Sequence, residues 1–341
     1  MSFQVTVKPS NHVLTVEAGE TILEAALREG FGLSYGCRDG ACGVCKNKIL
    51  SGSVDYGKYQ ESALTEAEKQ QGLALFCQAK PLSALAIECR EVGAIKDIQV
   101  KKLPCRVQKM EKLAPDVMAL HLKLPAAEKL KFLAGQYLNI LLKDGRHRSF
   151  SLASAPHDDE LLQLHVRYVA GGNFTEHVFH GMKERDILRI EGPLGTFFLR
   201  EDSGKPIVFV ASGTGFAPVK GMIEHAFHIG LKRPMTLYWG GRRRADLYQM
   251  ALPEQWQREH DNFRFIPVLS EALESDHWQG RTGFVHQAVL DDYADLSGCQ
   301  VYACGTPAMA DAAHRDFIAL RGLPPDEFFS DAFVFSSDAK K

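Results

Sequence analysis

The sequence predicts a multidomain protein of mixed α+β and α/β class, and three observations support this prediction. Residues 1–93 contain a glycine-rich loop and five cysteines, four of which have a characteristic spacing. Short alternating runs bounded by Gly, Pro and Asp fill residues 103–203, which is typical of an antiparallel β-barrel. A continuous apolar run, Ile207–Ala211, then enters a glycine-rich turn, as expected of a buried parallel strand in an α/β fold.

Length and composition fit several globular domains. At about 150 residues per domain, a chain of 341 residues suggests two or three domains. The 40 basic and 42 acidic residues give a formal net charge of −2, and no segment is basic enough to indicate nucleic-acid binding. No apolar stretch approaches the roughly 20 residues of a membrane span, and Met1–Ser10 lacks the pattern of a signal peptide. We therefore expect a cytoplasmic protein that binds neither nucleic acid nor membranes.

The N-terminal cysteines have the spacing of a metal-cluster site. Cys37, Cys42 and Cys45 form C-x4-C-x2-C, and Cys77 follows later in the chain. This is the spacing of a plant-type [2Fe–2S] site, in which four thiolates hold two irons. The glycines of the loop let the backbone wrap closely, so that N–H groups can point at the sulfurs. The alternatives are buried free thiols or a zinc site, which usually takes a second cysteine pair or histidines.

Local patterns around these cysteines predict a small α+β unit. Phe3–Lys8 and His12–Val16 alternate like two short strands. Thr21–Arg28 has the pattern of an amphipathic helix, and Thr65-Glu66-Ala67-Glu68 is a capping box that opens a second helix. Three further cysteines are predicted to be ordinary buried residues: Cys89, Cys105 and Cys299.

Two motifs in the middle segment suit recognition of a phosphate and a flat ring. Arg148-Ser149-Phe150-Ser151 follows a candidate strand, and Arg167 precedes Gly171-Gly172-Asn173-Phe174-Thr175, a turn that runs into a helix. An arginine fork suits a pyrophosphate, and a helix N-terminus with Thr175 as a hydroxyl donor suits the same anion. The aromatic ring of Phe150 can lie along a heterocycle.

The C-terminal segment has the strand, turn and helix of a nucleotide-binding fold. Its turn reads Ser212-Gly213-Thr214-Gly215-Phe216-Ala217-Pro218 and leads into a helix. A second strand ends at Arg242-Arg243-Arg244, and a later strand ends at Cys304-Gly305. Ligands bind at the carboxyl ends of strands in open α/β sheets, so these turns are candidate binding elements.

Together, these motifs resemble the ferredoxin–NADP reductase superfamily, and in particular its iron–sulfur flavoprotein reductase components. The R-x-Y-S motif is present at Arg148–Ser151 with Phe150 in place of tyrosine, G-T-G-x-A-P at Gly213–Pro218, and C-G-x-x-x-M at Cys304–Met309. The resemblance implies four segments: a β-grasp ferredoxin domain over 1–93, a linker over 94–102, an antiparallel β-barrel flavin domain over 103–203, and a parallel-sheet α/β nucleotide domain over 204–341.

The resemblance also implies roles for individual residues. The cluster ligands would be Cys37, Cys42, Cys45 and Cys77. The residues implied for FAD are Arg148, Ser149, Phe150, Ser151, Arg167, Gly171, Gly172 and Thr175. Those implied for the pyridine nucleotide are Gly213, Thr214, Gly215, Pro218, Arg242, Arg243, Cys304, Gly305 and Met309. Ser151 would lie near the flavin N5, Cys304 would border the nicotinamide, and Phe333, or alternatively Phe335, would cover the flavin face.

The implied reaction is hydride transfer from NADH to FAD, followed by single-electron transfer through the [2Fe–2S] cluster to a separate enzyme. That acceptor would be an oxygenase or hydroxylase component, or a PMP-dependent sugar dehydrase. Leu237–Arg242 and Ala245–Tyr248 look most similar to the reductases of the sugar group. The alternatives are NADPH as donor, FMN as the flavin, a stand-alone flavin or ferric reductase, and a redox sensor.

Overall fold

The computed structural model describes residues 2–96 and 98–334, and its contacts divide the chain into two compact units. The first comprises Met1–Gln99 with Leu194–Thr196, and the second comprises Val100–Pro193 with Phe197–Lys341. Leu194–Thr196 group with the first unit because the Tyr35 N–H donates to Thr196 Oγ1 at 2.9 Å. Among the described residues, no helix has both the length and the apolar character that crossing a membrane requires.

The first unit is a small mixed sheet with two short helices. Its elements are β1 (Phe3–Lys8), β2 (His12–Val16), α1 (Ile22–Arg28), β3 (Lys46–Ser51), β4 (Val54–Asp55), α2 (Glu66–Gln70), β5 (Leu73–Leu75), β6 (Lys80–Pro81) and β7 (Leu85–Glu88). Five strands form one sheet in the order β2-β1-β7-β3-β5, and β4 pairs with β6. Strand β1 is antiparallel to β2 and parallel to β7, and this arrangement is the predicted β-grasp.

The predicted local signals of this unit are confirmed. The two N-terminal strands have the predicted bounds. Both short helices begin with a capping box, in which Thr21 accepts from the Glu24 N–H and Thr65 accepts from the Glu68 N–H. Each box satisfies backbone groups that the first turn of a helix leaves unpaired.

The first part of the second unit is an antiparallel barrel. Its elements are β8 (Lys101–Ala114), β9 (Val117–Lys123), β10 (Tyr137–Leu141), β11 (His147–Ser151), β12 (Leu162–Arg167), α3 (Asn173–His180) and β13 (Ile187–Leu194). The strand order is β11-β10-β13-β8-β9-β12. An antiparallel bridge between Leu152 and Leu164 joins the two edge strands and closes the barrel.

The second part of this unit is a six-stranded parallel sheet covered by helices. Its elements are β14 (Ile207–Ser212), α4 (Phe216–His228), β15 (Met235–Gly241), α5 (Ala251–Glu259), β16 (Phe263–Leu269), β17 (Arg281–Thr282), α6 (Val285–Asp292), β18 (Gln300–Gly305), α7 (Pro307–Arg321) and β19 (Phe328–Ala332). The order is β17-β16-β15-β14-β18-β19, and every pair is parallel.

Strand β14 is buried on both faces, as its continuous apolar run predicts. Phe209 belongs to a core with Phe216 of α4, whereas Val210 belongs to the core on the opposite face with Val289 of α6. Because the strands are parallel, Ser212 and Gly305 reach the same edge of the sheet. This edge carries the predicted nucleotide turns.

Candidate functional site

The four N-terminal cysteines lie together in the first unit as two pairs. The Cys37 N–H donates to Cys42 Sγ at 3.3 Å, and the two thiols are hydrogen-bonded to each other. Cys45 and Cys77 form the second hydrogen-bonded pair. Two pairs fit a [2Fe–2S] cluster, whose irons each take two thiolates.

The cysteine loop directs N–H groups at these sulfurs, as predicted. The Asp39 N–H donates to Cys37 Sγ at 3.4 Å, and Gln78 Nε2 lies 3.9 Å from Cys77 Sγ. The hydrogen bond from Cys42, followed by backbone N–H bonds, lowers the pKa of Cys37 to about 6. Gly40 has a φ of +70°, and a Cβ there would lie 2.6 Å from the Lys58 carbonyl oxygen, so the loop requires glycine at this position.

The three cysteines predicted to be ordinary residues are confirmed as buried free thiols. Their exposed fractions are 6% for Cys89, 2% for Cys105 and 8% for Cys299. Burial raises the pKa of Cys89 and of Cys105 to about 12. Such thiols are unreactive at neutral pH.

The predicted flavin motif, Arg148–Ser151, forms most of strand β11. Ser149 Oγ hydrogen-bonds Asn139 Oδ1 of the neighbouring strand at 2.7 Å, and the Phe150 ring lies 5.3 Å from that of Phe174. Ser151 is buried, and its hydroxyl donates to Asp331 Oδ2 at 3.2 Å. The motif therefore joins the barrel to the last strand of the parallel sheet.

The Gly171–Gly172 turn leads into α3, as predicted. Gly172 is the N-cap and offers no capping side chain, so N–H groups of the first turn are free to bind an anion. Thr175 Oγ1 donates to the Val169 carbonyl at 2.9 Å and accepts from the Val169 N–H at 3.2 Å. The Thr175 hydroxyl therefore shapes the turn, and the helix N-terminus is the group that fits a phosphate.

The nucleotide turn Gly213–Gly215 interlocks with the turn that follows β18. A Cβ at Gly215 would lie 2.1 Å from the Cys304 carbonyl oxygen, so only glycine fits there. Across the same contact, the Thr306 N–H donates to Ser212 Oγ at 3.1 Å. Helix α4 starts at this turn without a side-chain cap, and Pro218 is buried in its first turn. Gly213 and Gly215 carry no side chains, so the turn leaves room for a phosphate.

Arg167, predicted near the flavin phosphate, lies beside the nucleotide turn. Its NH2 atom is 3.7 Å from where a Cβ of Gly213 would stand. NH1 lies 3.2 Å from Asp116 Oδ2 and 3.5 Å from Asp246 Oδ1. Nε and NH2 are buried and have no partner among the described residues. Two unpaired donors facing a glycine turn fit the phosphates of a pyridine nucleotide.

The arginine turn after β15 is bound by two carboxylates. Asp246 Oδ2 accepts from the backbone N–H groups of Arg242 and Arg243 at 2.9 and 3.1 Å. The side chain of Arg243 donates from Nε to Asp276 Oδ2 at 2.8 Å. The Arg242 side chain is 66% exposed, and its Nε is 3.6 Å from Asp246. Arg243 is therefore paired with a carboxylate, whereas the side chains of Arg242 and Arg244 are exposed.

The C-G-x-x-x-M motif divides between the edge of the sheet and its core. Cys304 is fully buried, and burial followed by the charge of Asp331 raises the pKa of its thiol well above the usual range. Gly305 ends β18. Met309 is 8% exposed and packs in the hydrophobic core with Ala313, so it supports α7 from within the core.

Asp331 is the candidate functional residue that the sequence reasoning missed. Strand β19 pairs with β18 so that Asp331 lies beside Cys304, and the Ser151 hydroxyl meets it from the barrel. The sequence feature that could have identified Asp331 is that it is a single carboxylate within an aromatic run near the C-terminus. Phe333 is held at the same edge, because its N–H donates to the Gly305 carbonyl at 2.7 Å. The alternative candidate, Phe335, lies outside the described residues.

Comparison with known families matches three parts of the chain. Residues 5–82 match the 2Fe-2S iron-sulfur cluster binding domain. Residues 104–199 match the oxidoreductase FAD-binding domain, and residues 209–315 match the oxidoreductase NAD-binding domain. The chain therefore carries a [2Fe–2S] cluster, FAD and a nicotinamide nucleotide site.

Full-length relatives share this arrangement. A CDP-6-deoxy-L-threo-D-glycero-4-hexulose-3-dehydrase reductase of Yersinia pestis is 42% identical, over 98% of this chain and 99% of the relative. The reductase component of a Pseudomonas phenol 2-monooxygenase is 38% identical, over 99% and 96%. The crystal structure of an Amycolatopsis cytochrome P450 reductase matches with a TM-score of 0.79 and 35% identity, over 97% and 98%. This protein therefore takes electrons from NAD(P)H through FAD and the cluster to a partner, and it belongs to the iron–sulfur flavoprotein reductase components of the ferredoxin–NADP reductase superfamily.

Proposed function

We propose that the electron acceptor is a PMP-dependent deoxysugar dehydrase of the CDP-6-deoxy-hexulose type. The observation that carries this proposal is the match, along nearly all of both chains, to a reductase named for such a dehydrase, at 42% identity. The protein RfbI of Salmonella typhimurium is similar at 40% identity. The phenol 2-monooxygenase reductase is 38% identical, so an oxygenase component is the second candidate acceptor.

The proposed cluster ligands are Cys37 and Cys42 on one iron, and Cys45 and Cys77 on the other. The pairing of the thiols and the N–H groups aimed at them support this assignment. When bound, FAD accepts a hydride and releases electrons singly, and the cluster carries them one at a time. The task of the protein is to hold these groups and exclude side reactions.

The proposed hydride site is formed by Ser151, Asp331, Cys304 and Phe333. Asp331 accepts a hydrogen bond from the Ser151 hydroxyl, which orients the hydroxyl and leaves its lone pairs available to a bound flavin. The raised pKa keeps the Cys304 thiol protonated and neutral. The backbone bond to Gly305 supports a role for Phe333 in covering the flavin face until nicotinamide enters.

The proposed donor is NADH, bound between Arg167 and the Gly213–Gly215 turn. The unpaired Nε and NH2 of Arg167 suit the pyrophosphate. Asp246 and Asp276 occupy the arginine turn where an additional 2′-phosphate would need free cations. The pairing of Arg243 with Asp276 leaves one free cation fewer for that phosphate, and this supports NADH.

The proposed domain boundaries are those predicted above, with a ferredoxin part over 1–93, a linker over 94–102, a flavin part over 103–203 and a nucleotide part over 204–341. The family matches over 5–82, 104–199 and 209–315 lie within the three larger segments. A cytoplasmic location also remains a proposal, and four cysteines that must stay reduced to bind iron support it.

The electron path is tested by anaerobic reduction of the purified protein with NADH. We expect the flavin absorbance to bleach and low-temperature EPR to detect a reduced [2Fe–2S] cluster. NADPH should reduce the flavin more slowly at equal concentration. A flavin that neither nucleotide reduces would overturn the proposed nucleotide site, and faster reduction by NADPH would overturn the donor preference.

The acceptor is tested by adding a purified CDP-6-deoxy-hexulose 3-dehydrase with its PMP and sugar substrate, or in parallel a phenol hydroxylase oxygenase component with phenol. We expect NADH oxidation to be coupled to product formation with the dehydrase. Product formation only with the oxygenase would favour the second candidate. Omitting the sugar or the phenol gives the uncoupled rate in each assay.

A further inference from the structure

Lys220 of helix α4 is buried and faces the barrel. Its exposed fraction is 8%, and lysine is almost never so buried without a partner. Nζ donates to Glu224 Oε2 at 2.8 Å, one turn later on the same helix, and to the Ala153 carbonyl at 3.2 Å. The first contact pairs the charge within the helix, and the second joins the helix to the segment that follows the flavin motif.

The Ala153 carbonyl can accept this bond because the strand pairing changes there. The Ala153 N–H donates to the Gln163 carbonyl at 2.7 Å, as in an antiparallel pair. The Gln163 N–H, however, donates to Ser154 Oγ at 3.1 Å instead of returning to Ala153. The Ser154 hydroxyl thus replaces the expected backbone acceptor and leaves the Ala153 carbonyl for Lys220.

The residue after Lys220 brings the helix and this segment into close backbone contact. A Cβ at Gly221 would lie 2.9 Å from the Ser154 carbonyl oxygen and 3.3 Å from that of Leu152. Glycine therefore lets α4 lie directly against residues 152–154. The bond from Lys220 to the Ala153 carbonyl then fixes which residues of the 152–154 segment the helix lies against.

Helix α4 links the two halves of the proposed hydride site. Its N-terminal turn ends at Gly215, which lies against the Cys304 carbonyl. Its contact residue in the barrel, Ala153, follows closely after Ser151, whose hydroxyl reaches Asp331 beside Cys304. The helix thus connects the flavin motif to the nucleotide turn Gly213–Gly215.

The surrounding interface between barrel and parallel sheet combines apolar packing, in which Phe197 and Leu199 share a core with Met222 of α4, with buried polar atoms that are only partly hydrogen-bonded. His121 Nε2, His165 Nε2 and His225 Nδ1 are buried without a hydrogen-bond partner among the described residues. Apolar packing is non-directional, whereas a hydrogen bond has a defined partner. The direct bond from Lys220 to Ala153 therefore adds a specific contact that fixes the position of α4 along the barrel.

We propose that Lys220 is a positioning residue for hydride transfer, because its bond to Ala153 fixes the position of the nucleotide turn relative to the flavin motif. The inference rests on the proposed function, which puts the flavin at Arg148–Ser151 and the pyridine nucleotide at the Gly213–Gly215 turn and Cys304. Hydride transfer requires the reacting atoms in near-contact, and a misplacement of about 1 Å can cost roughly 10²-fold in rate.

The test compares Lys220→Met, Lys220→Arg and the control Lys232→Met in the flavin- and cluster-loaded protein. Methionine keeps the length of the side chain without its charge, arginine can still donate to Ala153, and Lys232 is exposed beyond α4. Three quantities are measured: the limiting rate of flavin reduction at saturating NADH, the Kd of NAD⁺ for the oxidised protein, and amide hydrogen exchange in residues 152–156 and 213–224.

We expect Lys220→Met to lower the limiting rate about tenfold or more, because positioning acts on the chemical step. The Kd of NAD⁺ should stay within about threefold, since this change removes little ground-state binding. Amide exchange in both segments should become faster. Lys220→Arg should recover most of the rate, and Lys232→Met should match the wild type.

A wild-type limiting rate in Lys220→Met, or a loss confined to nucleotide affinity, would overturn the proposal. If that variant loses flavin or unfolds, Ser154→Ala decides, because without its hydroxyl the Gln163 N–H is free to bond the Ala153 carbonyl in competition with Lys220. A lower limiting rate in Ser154→Ala supports the proposal, and an unchanged rate overturns it. Failure of the proposed function has a different signature, since the wild type itself would not be reduced by NADH, and hydrogen exchange would still show whether Lys220 holds the helix.

Discussion

The cluster loop and the hydride site are both fixed arrangements of polar groups, but they are assembled over very different distances along the chain. Three of the four proposed cluster cysteines lie in one loop, Cys37–Cys45, and the backbone of that loop supplies a hydrogen bond to a sulfur. At the hydride site, Ser151 and Asp331 are separated by 180 positions. The first arrangement follows from local chain geometry, and the second depends on the pairing of distant strands.

This difference determines which changes each region tolerates. The cluster loop needs particular residues at particular spacings, because the same short segment must bind iron and donate hydrogen bonds. The hydride site needs the correct register of β18 with β19 and a correctly placed α4. The predictions below test whether the two regions can be damaged independently.

The largest expected effect is loss of the cluster alone. Cys42→Ser removes one ligand, and we expect the [2Fe–2S] EPR signal and the reduction of the partner enzyme to disappear. Flavin reduction by NADH should continue, because the hydride site lies in the other compact unit. The matched control is Cys89→Ser, which changes a buried thiol of the same unit. Sustained electron transfer to the partner in Cys42→Ser would contradict the proposed path.

The second prediction damages the hydride site alone. Ser151→Ala removes the hydroxyl that donates to Asp331 and leaves a half-buried carboxylate without this partner. A lost hydrogen bond to a charged group corresponds to a fall of about 10- to 100-fold in the rate of flavin reduction. Anaerobic stopped flow measures this rate, and the cluster spectrum should not change. Ser297→Ala, at an exposed site, is the control, and an equal rate in both variants would remove Ser151 from the proposed site.

The third prediction separates the two units by pH. His165 is 4% exposed, and burial, with smaller contributions from Lys220 and His121, lowers its pKa to about 3. In the unfolded chain the His165 imidazole binds a proton near its usual pKa of 6.5, whereas in the folded chain it stays neutral at that pH. Acid therefore favours unfolding. Below about pH 6.5, the titration of His165 should lower the free energy of unfolding of the second unit by about 1.4 kcal/mol per pH unit.

Urea unfolding at pH 7.5, 6.5 and 5.5 measures this effect, and His165→Gln should reduce the slope. The first unit contains a single histidine, His12, which is exposed. Cluster absorbance, which reports on that unit, should therefore show a weaker dependence over the same range. Equal pH slopes in wild type and His165→Gln would show that the buried histidine does not account for the acid sensitivity.

The smallest expected effect concerns Phe150. Phe150→Tyr restores the hydroxyl of the R-x-Y-S motif at a half-buried position on β11. One added hydrogen bond is worth about 1 kcal/mol, or roughly fivefold tighter FAD binding. Titration of FAD into the flavin-free protein measures this affinity, and the cluster should be unaffected. Weaker binding would mean that the ring of Phe150 packs where a hydroxyl has no partner.

Local signals in the sequence were sufficient for much of the fold. The alternation of Phe3–Lys8 and His12–Val16, and the capping boxes at Thr21 and Thr65, lie in short segments whose conformation depends on nearby residues. The apolar run at Ile207–Ala211 indicated a strand buried on both faces. These predictions succeeded because the conformation of each segment depends mainly on contacts between residues that are close in the sequence.

The contributions of other residues could not be read from their local pattern. Met309 belongs to a motif but packs in the core, and Thr175 bonds its own turn. Arg167 follows the flavin motif in sequence, yet its guanidinium lies beside Gly213 because β12 turns its side chain toward the nucleotide part. A side chain's direction and its partner across an interface depend on how two elements pack.

By itself, the sequence determined the order of the three family domains and the glycine turns, because each is a short segment with its own chemistry. The assignment of the four cysteines as cluster ligands stays a prediction. Only the tertiary structure decided that Asp331 meets Ser151 and lies beside Cys304, and that Lys220 reaches Ala153. Those contacts join strands and helices that are remote in the chain. They exist because the parallel sheet and the barrel bury their apolar faces in one particular register, which no local segment specifies.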